Sequence, residues 1–184
     1  MNTLTTEQYT AIISAMKTGL GSIRANPRCA AVLTAEANLG MRIGDILRLK
    51  LSDIVRDGNR YRLNITEEKT GKRRTFTVPD AVYNFFCDYC REQNIDQDAR
   101  MFPVTVRAVQ KHLKAVCDAL GYNDIGTHSF RKWYATDIYE ATGHDIVLVQ
   151  HLLQHSSPIT TRRYIGISDE KVEAAIANHV SIVA

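Results

Sequence analysis

Residues Leu39–Ile54, LGMRIGDILRLKLSDI, are where the chain changes its periodicity. Immediately upstream, NPRCAAVLTAEANLG (26–40) carries helix punctuation at both ends: Asn26 suits an N-cap, Pro27 a first helical position, and Gly40 the left-handed residue that stops a helix. The segment is Ala-rich and mostly apolar, which predicts a buried helix. A short helical stretch follows over 42–50, and the pattern then shifts from a period of about 3.6 to one of 2. Strands are expected around Leu51–Val55, Arg60–Thr66 and Arg73–Val78, separated by turn signals at Asp57-Gly58 and Thr70-Gly71. The expectation is an α+β fold, mostly helical, with a small three-stranded antiparallel sheet near the N-terminal third.

Outward from that stretch, Thr5 or Thr6 can cap a first helix in which Tyr9, Ile12, Ile13 and Met16 recur at helical spacing and which ends near Gly19 and Gly21. Pro79-Asp80 breaks the third strand. From Ala81 to Val180 the pattern is helical apart from a loop around Gln97–Pro103. Linkers, repeats and low-complexity tracts do not divide the chain, so 184 residues with 45% hydrophobic content are read as one domain spanning 1–184.

Composition excludes several classes. There is no run of about 18 apolar residues, and MNTLTTEQYT lacks the basic and apolar regions of a signal peptide, so membrane spanning and secretion are not expected. Cys29, Cys87, Cys90 and Cys117 are too sparse and irregular for a disulfide framework, which fits a reducing cytoplasm. Cys87 and Cys90 form a C-x-x-C inside an amphipathic helical pattern, with no partner pair at zinc spacing, and read as packed helix cysteines. The formal net charge of +3 is too small to announce a nucleic-acid partner. Its distribution is less even: Arg42–Arg74 holds ten Lys/Arg against five acids. In TVRAVQKHLKAVCDALG (105–121), Val109, Leu113 and Val116 define an apolar face, while Arg107, Lys111 and Lys114 define another. That basic stripe can track a phosphate backbone or be a solvated helix face.

The chemistry-bearing residues cluster toward the C-terminus. In GTHSFRKWYATDIY (126–139), His128 and Arg131 are three apart and can converge on one anion; alone, such a pair is more often a structural hydrogen-bonding one. LLQHSSPITTRRY (152–164) contains His155 and Tyr164, with Ser156, Ser157 and Pro158 marking a helix start between them. Arg42 follows a glycine terminator, and Asp45 three residues on can pair with it.

Together these segments resemble the tyrosine recombinases of the phage-integrase family, over nearly the whole chain. LGMRIGDILRLKLSDI matches the first family box through Gly40, Arg42, Asp45, Leu49, Asp53 and Ile54. KTGKRRTFTVP matches the hairpin that carries the family lysine, which falls on Lys69. His128 and Arg131 form the His-x-x-Arg box, and LLQHSSPITTRRY carries His155 and the tyrosine Tyr164. Gln154 stands where the family usually has glycine before the histidine. The chain also opens directly on the catalytic domain without the helical core-binding domain of most relatives, as expected of a fragment of a longer recombinase or of a short member similar to the fimbrial inversion recombinases.

The resemblance implies DNA strand cleavage and rejoining through a 3′-phosphotyrosyl intermediate on Tyr164. Arg42, Arg131 and His155 would neutralise the charge developing on the phosphate, and Lys69 would protonate the departing 5′-oxygen. His128 would take the phenol proton or help hold the phosphate, and Asp45 would orient Arg42. No cofactor or metal is expected, since guanidinium groups supply the neutralisation that metals supply in nucleases. The partners implied are double-stranded DNA, met by the stripe of Arg107, Lys111 and Lys114, and further copies of the chain in a tetramer on DNA. A last amphipathic helix, with Val172, Ile176 and Val180 on one side, would dock on a neighbouring copy or on its own domain. A type IB topoisomerase would use a similar residue set without strand exchange, and a noncatalytic DNA-binding relative would have lost one of the six residues, all of which are present.

Overall fold

The computed structural model of the chain describes residues 3–66, 68, 71, 73–155 and 157–166. Its elements are α1 (Thr6–Thr18), α2 (Pro27–Leu39), α3 (Ile43–Ile46), β1 (Ile54–Asp57), β2 (Arg60–Thr66), β3 (Arg73–Val78), α4 (Asp80–Glu92), α5 (Val106–Leu120), α6 (Thr127–Ala141), α7 (Ile146–Leu153) and α8 (Pro158–Tyr164). The α+β expectation holds: helices dominate, and the strands form one antiparallel sheet in the order β1-β2-β3. The chain divides into two compact units, Met1–Trp133 and Tyr134–Ala184.

In the first unit the helix ends form where the sequence signals them. Thr5 and Gln8 exchange reciprocal bonds, each side chain accepting from the other's backbone N–H, at 3.2 and 3.0 Å. Asn26 Oδ1 accepts from the Cys29 N–H at 3.1 Å. Gly40 turns left-handed, with φ 56° and ψ 26°, and its N–H returns to the Glu36 carbonyl at 3.0 Å. Between those caps α2 is enclosed on nearly every side: Cys29 to Leu33, Ala35 to Ala37 and Leu39 are all buried. Its alanines let α1, α3, α4 and α5 pack against it.

The sheet lays one face on this core. Leu63 on β2 is fully buried between its partners Ile54 on β1 and Phe76 on β3. Tyr61 stacks on Tyr83 of α4 with ring centroids 3.7 Å apart, pinning the middle strand to that helix. The first strand starts later than expected. Leu51–Asp53 is a 3₁₀ turn, because the Asp53 carboxylate accepts from the Lys50 N–H at 2.8 Å and closes a local turn before the ladder begins.

The expectation of continuous helix after Ala81 also needs correction. Besides the loop near 97–103, the described chain leaves the helix at 121–126, at 142–145, and at 154, 155 and 157. Each break has local chemistry: Gly121 is left-handed at φ 73°, Asp145 caps α7 by accepting from the Leu148 N–H, and Ser157 caps α8 by accepting from the Ile159 N–H. The anticipated helix carrying Val172, Ile176 and Val180 lies outside the described residues. Cys29, Cys90 and Cys117 are buried and Cys87 is half-buried. Burial pushes the Cys117 thiol up to about 11, consistent with packing rather than reactivity. Among the described residues, no helix is long and apolar enough to cross a membrane.

Among the described residues of the second unit, Ala135, Val149, Leu153 and Ile165 form a core, with Tyr134, Ile138, Tyr139, Ile146 and Tyr164 packed against it. The unit boundary falls within α6. On the first-unit side, Tyr9 of α1 stacks on Trp133 with centroids 4.6 Å apart and meets Phe130 edge-on at 6.1 Å. These two contacts bracket Arg131 in sequence and fix the start of α6 to α1. Tyr9→Leu, which keeps an apolar side chain and removes the ring stack, is expected to lower stability by about 1 kcal/mol, read from the midpoint of a urea unfolding curve.

Candidate active site

Arg42 owes its place to its neighbours. After the left-handed Gly40, Met41 is fully buried and Ile43 nearly so, which fixes the backbone between them. Arg42 is half-buried at the N-cap of α3, and its carbonyl accepts from the N–H groups of Asp45 and Ile46 at 2.9 and 3.0 Å. Asp45 is buried, and its Oδ1 accepts from Arg48 Nη2 at 2.7 Å and from the Glu68 N–H at 3.0 Å. Arg48 in turn lies 3.5 Å from the Glu68 carboxylate. Sequence reading gave Asp45 one task, orienting Arg42. In the structure the Asp45 carboxylate is bonded to Arg48 and to the Glu68 N–H, and so ties α3 to Glu68, beyond the end of β2. Alongside lies a cleft of about 230 Å³ lined by Asp45, Arg48, Leu49, Asp53, Asn64, Ile65 and Thr66. Lys69 and its neighbour Lys72 lie outside the described residues.

His128 and Arg131 both lie on α6, which begins with reciprocal bonds: the Gly126 N–H donates to Ser129 Oγ at 3.3 Å and the Ser129 N–H to the Gly126 carbonyl at 2.9 Å. Their environments differ. His128 is exposed, whereas Arg131 is 1% exposed, the largest fully buried side chain among the described residues. A charge so deeply buried requires compensation. Sequence reading missed one buried residue on which that charge acts, Glu36 on α2. It is 0% exposed and neither carboxylate oxygen has a hydrogen-bond partner among the described residues. Burial holds its carboxyl well above the usual carboxylate range, and the positive charge of Arg131 opposes that rise. A lone acid between alanines in a mostly apolar helix was the available signal.

On α5, Val109, Leu113 and Val116 are buried while Arg107, Lys111 and Lys114 are exposed, so the basic stripe faces solvent as read from sequence. Lys114 is not an isolated charge: its Nζ lies 2.8 Å from the Asp118 carboxylate.

In the second unit, α7 ends in a Schellman turn. The Gln154 N–H donates to the His151 carbonyl and the His155 N–H to the Gln150 carbonyl, both at 3.1 Å. Gln154 adopts the left-handed conformation this turn requires, with φ 52° and ψ 38°. The Gln150 side-chain amide donates to the His155 carbonyl at 3.2 Å, closing the turn around the histidine backbone. Pro158 then opens α8, which ends at Tyr164. The rings of His155 and Tyr164 meet edge to face with centroids 4.9 Å apart, and His155 Nδ1 lies 3.1 Å from the Thr161 hydroxyl. Among the described residues, no group of three or more His, Cys, Asp or Glu side chains is arranged to hold a metal ion.

Residues 2–171 match the phage integrase family. The chain belongs to that family. A probable integrase/recombinase, YoeC, of Bacillus subtilis is 33% identical over 143 residues, covering 75% of this chain and 77% of the relative. A tyrosine recombinase XerC of Bradyrhizobium diazoefficiens is 33% identical over 154 residues, covering 79% of this chain and 47% of the relative. The chain thus spans about half the length of this XerC relative. Among solved structures, a XerH site-specific recombinase bound to palindromic difH substrate after cleavage superposes with a TM-score of 0.70. It is 20% identical, over 96% of this chain and 53% of that one, a likeness of fold.

Membership of the integrase family gives the Gln154 departure a physical meaning. Glycine accepts the left-handed turn freely, whereas glutamine adopts it at a cost of about 1 kcal/mol. The turn forms nonetheless, held by the two backbone bonds and the Gln150 amide. Gln154→Gly is therefore expected to stabilise the fold by about 1 kcal/mol, measured by chemical denaturation.

Glu36 generates a pH prediction. Its folded-state pKa lies above its unfolded value, so between the two the folded state binds more protons and its stability falls as pH rises. The stability of Glu36→Gln relative to wild type is expected to shift in favour of glutamine as pH is raised from about 4.5 to 8, read from paired melting curves across that range.

Proposed function

We propose that the chain is the catalytic part of a site-specific DNA recombinase acting in the cytoplasm, without metal, through a covalent tyrosine intermediate. The observation that carries this reading is the contact between His155 and Tyr164. A tyrosine at the end of one short helix meets, at 4.9 Å between ring centroids, a histidine that the preceding turn holds in place. The Tyr164 phenolate oxygen attacks the scissile phosphorus, the P–O5′ bond breaks, and a 3′-phosphotyrosyl ester and a 5′-hydroxyl result. Attack by the 5′-hydroxyl of a partner strand reverses the step and frees the tyrosine. His128, exposed at the start of α6, takes the phenol proton or holds the phosphate, and Lys69 protonates the departing 5′-oxygen.

The transition state gathers negative charge on the nonbridging phosphate oxygens, and planar guanidinium groups match it. Arg42 and Arg131 fill that role. The deep burial of Arg131 supports it, because a donor fixed before substrate arrives costs nothing to reorganise during the reaction. The substrate is double-stranded DNA, whose backbone the exposed Arg107, Lys111 and Lys114 of α5 follow. Copies of the chain assemble as a tetramer on the recombining sites.

A pool of nicked duplexes with randomised arms, in which the short cleaved strand diffuses away, traps the covalent state whatever the target sequence. Wild-type protein is expected to form an SDS-resistant adduct whose DNA maps by peptide mass spectrometry to Tyr164, with or without EDTA. Tyr164→Phe is expected to form none. Arg131→Lys is expected to lose about 10² to 10³ in adduct rate. An adduct that vanished with EDTA and returned only with Mg²⁺ would sink the mechanism, and DNA binding with no adduct would point to a noncatalytic relative.

A further inference from the structure

Thr161 lies one turn before Tyr164 on the same face of α8. It is 0% exposed, whereas its neighbour Thr160 is exposed, so of two adjacent threonines one hydroxyl is turned into the core. A buried hydroxyl must find a partner to offset its lost water. Here the partner is Nδ1 of His155, 3.1 Å from Oγ1. His155 is thus held at three points: its carbonyl by the Gln150 amide at 3.2 Å, its ring edge by Tyr164, and its Nδ1 by Thr161.

The polarity of that hydrogen bond matters chemically. In a neutral imidazole only one nitrogen carries a proton. If the hydroxyl donates, Nδ1 is the acceptor and the ring proton sits on Nε2. If the hydroxyl accepts, the proton sits on Nδ1 and Nε2 cannot donate until the ring gains a second proton. Only the first arrangement gives a neutral histidine a donor to offer a phosphate oxygen.

We propose that Thr161 is a positioning residue: its buried hydroxyl donates to His155 Nδ1, fixes the ring beside Tyr164, and keeps the proton on Nε2, the nitrogen that donates to the scissile phosphate. The phosphate contact rests on the recombinase reading above; the tautomer does not. Thr161 acts only through His155 and touches no reacting atom.

The test uses the full chain with ¹⁵N-labelled histidine. In DNA-free wild-type protein, the His155 nitrogen shifts above its titration midpoint are expected to report protonated Nε2 and bare Nδ1. Thr161→Val, nearly the same shape without the hydroxyl, is expected to move those shifts toward a mixture of tautomers. Its adduct rate on the duplex pool is expected to fall about tenfold, the worth of one hydrogen bond. Thr161→Ser is expected to restore both the tautomer and most of the rate. A wild-type ring protonated on Nδ1 would overturn the proposal, as would a folded Thr161→Val protein with wild-type shifts and rate. If valine prevents folding, the wild-type tautomer and the serine variant decide: loss of the Nε2–H signature in folded Thr161→Ser would overturn the proposal. A wild-type chain that shows the Nε2–H tautomer but forms no adduct would uphold the Thr161–His155 device and overturn the recombinase reading.

Discussion

The enclosure of α2 is the constraint on which the first unit depends. A helix enclosed on nearly every side needs small residues where its neighbours approach, and α2 accordingly carries Ala30, Ala31, Ala35 and Ala37, all buried. Two consequences follow for the site. The helix must stop cleanly, and Gly40 turns the chain left-handed so that Met41 re-enters the core and Arg42 is left at the start of α3. And the one acid it carries, Glu36, has nowhere to go but inward, where the Arg131 charge acts on it. One packing requirement thus bears on both guanidinium groups assigned to the phosphate.

The second unit solves a different problem with fewer residues. Its helices α7 and α8 are short, and the turn between them carries much of their described hydrogen bonding. The Schellman turn at Gln154, the amide of Gln150 and the Ser157 cap set the direction of the chain through His155. Such turns tolerate little drift, because each depends on backbone groups at fixed offsets.

Much of this was legible in the sequence where residues carry their own punctuation. Asn26-Pro27 and Gly40 delimit α2, Thr105 and Gly121 delimit α5, and the alternation of Arg60–Thr66 gives β2 as observed. The spacing of Arg42, His128, Arg131, His155 and Tyr164 was equally readable, because each box is short and its chemistry local. Interactions between distant segments were not. Nothing in LRLKLSDI says that Asp53 will close a turn on Lys50 and delay the strand, nor that Asp45 will reach Glu68, since these depend on competition between side-chain and ladder bonds. Two consecutive threonines likewise cannot disclose which hydroxyl faces the core.

The assigned groups also differ in where they sit along their helices. Arg42 occupies the N-cap position of α3, His128 is the second residue of α6, His155 follows the last turn of α7, and Tyr164 is the last residue of α8; Arg131, one turn into α6, is buried. Helix ends open at far lower free energy than helix middles. Among the assigned groups, Arg131 is thus anchored by burial, whereas Arg42, His128, His155 and Tyr164 each sit at or beside a helix terminus. A local rearrangement at any of these four positions can be met by winding or unwinding a terminus, with the helix middles left undisturbed.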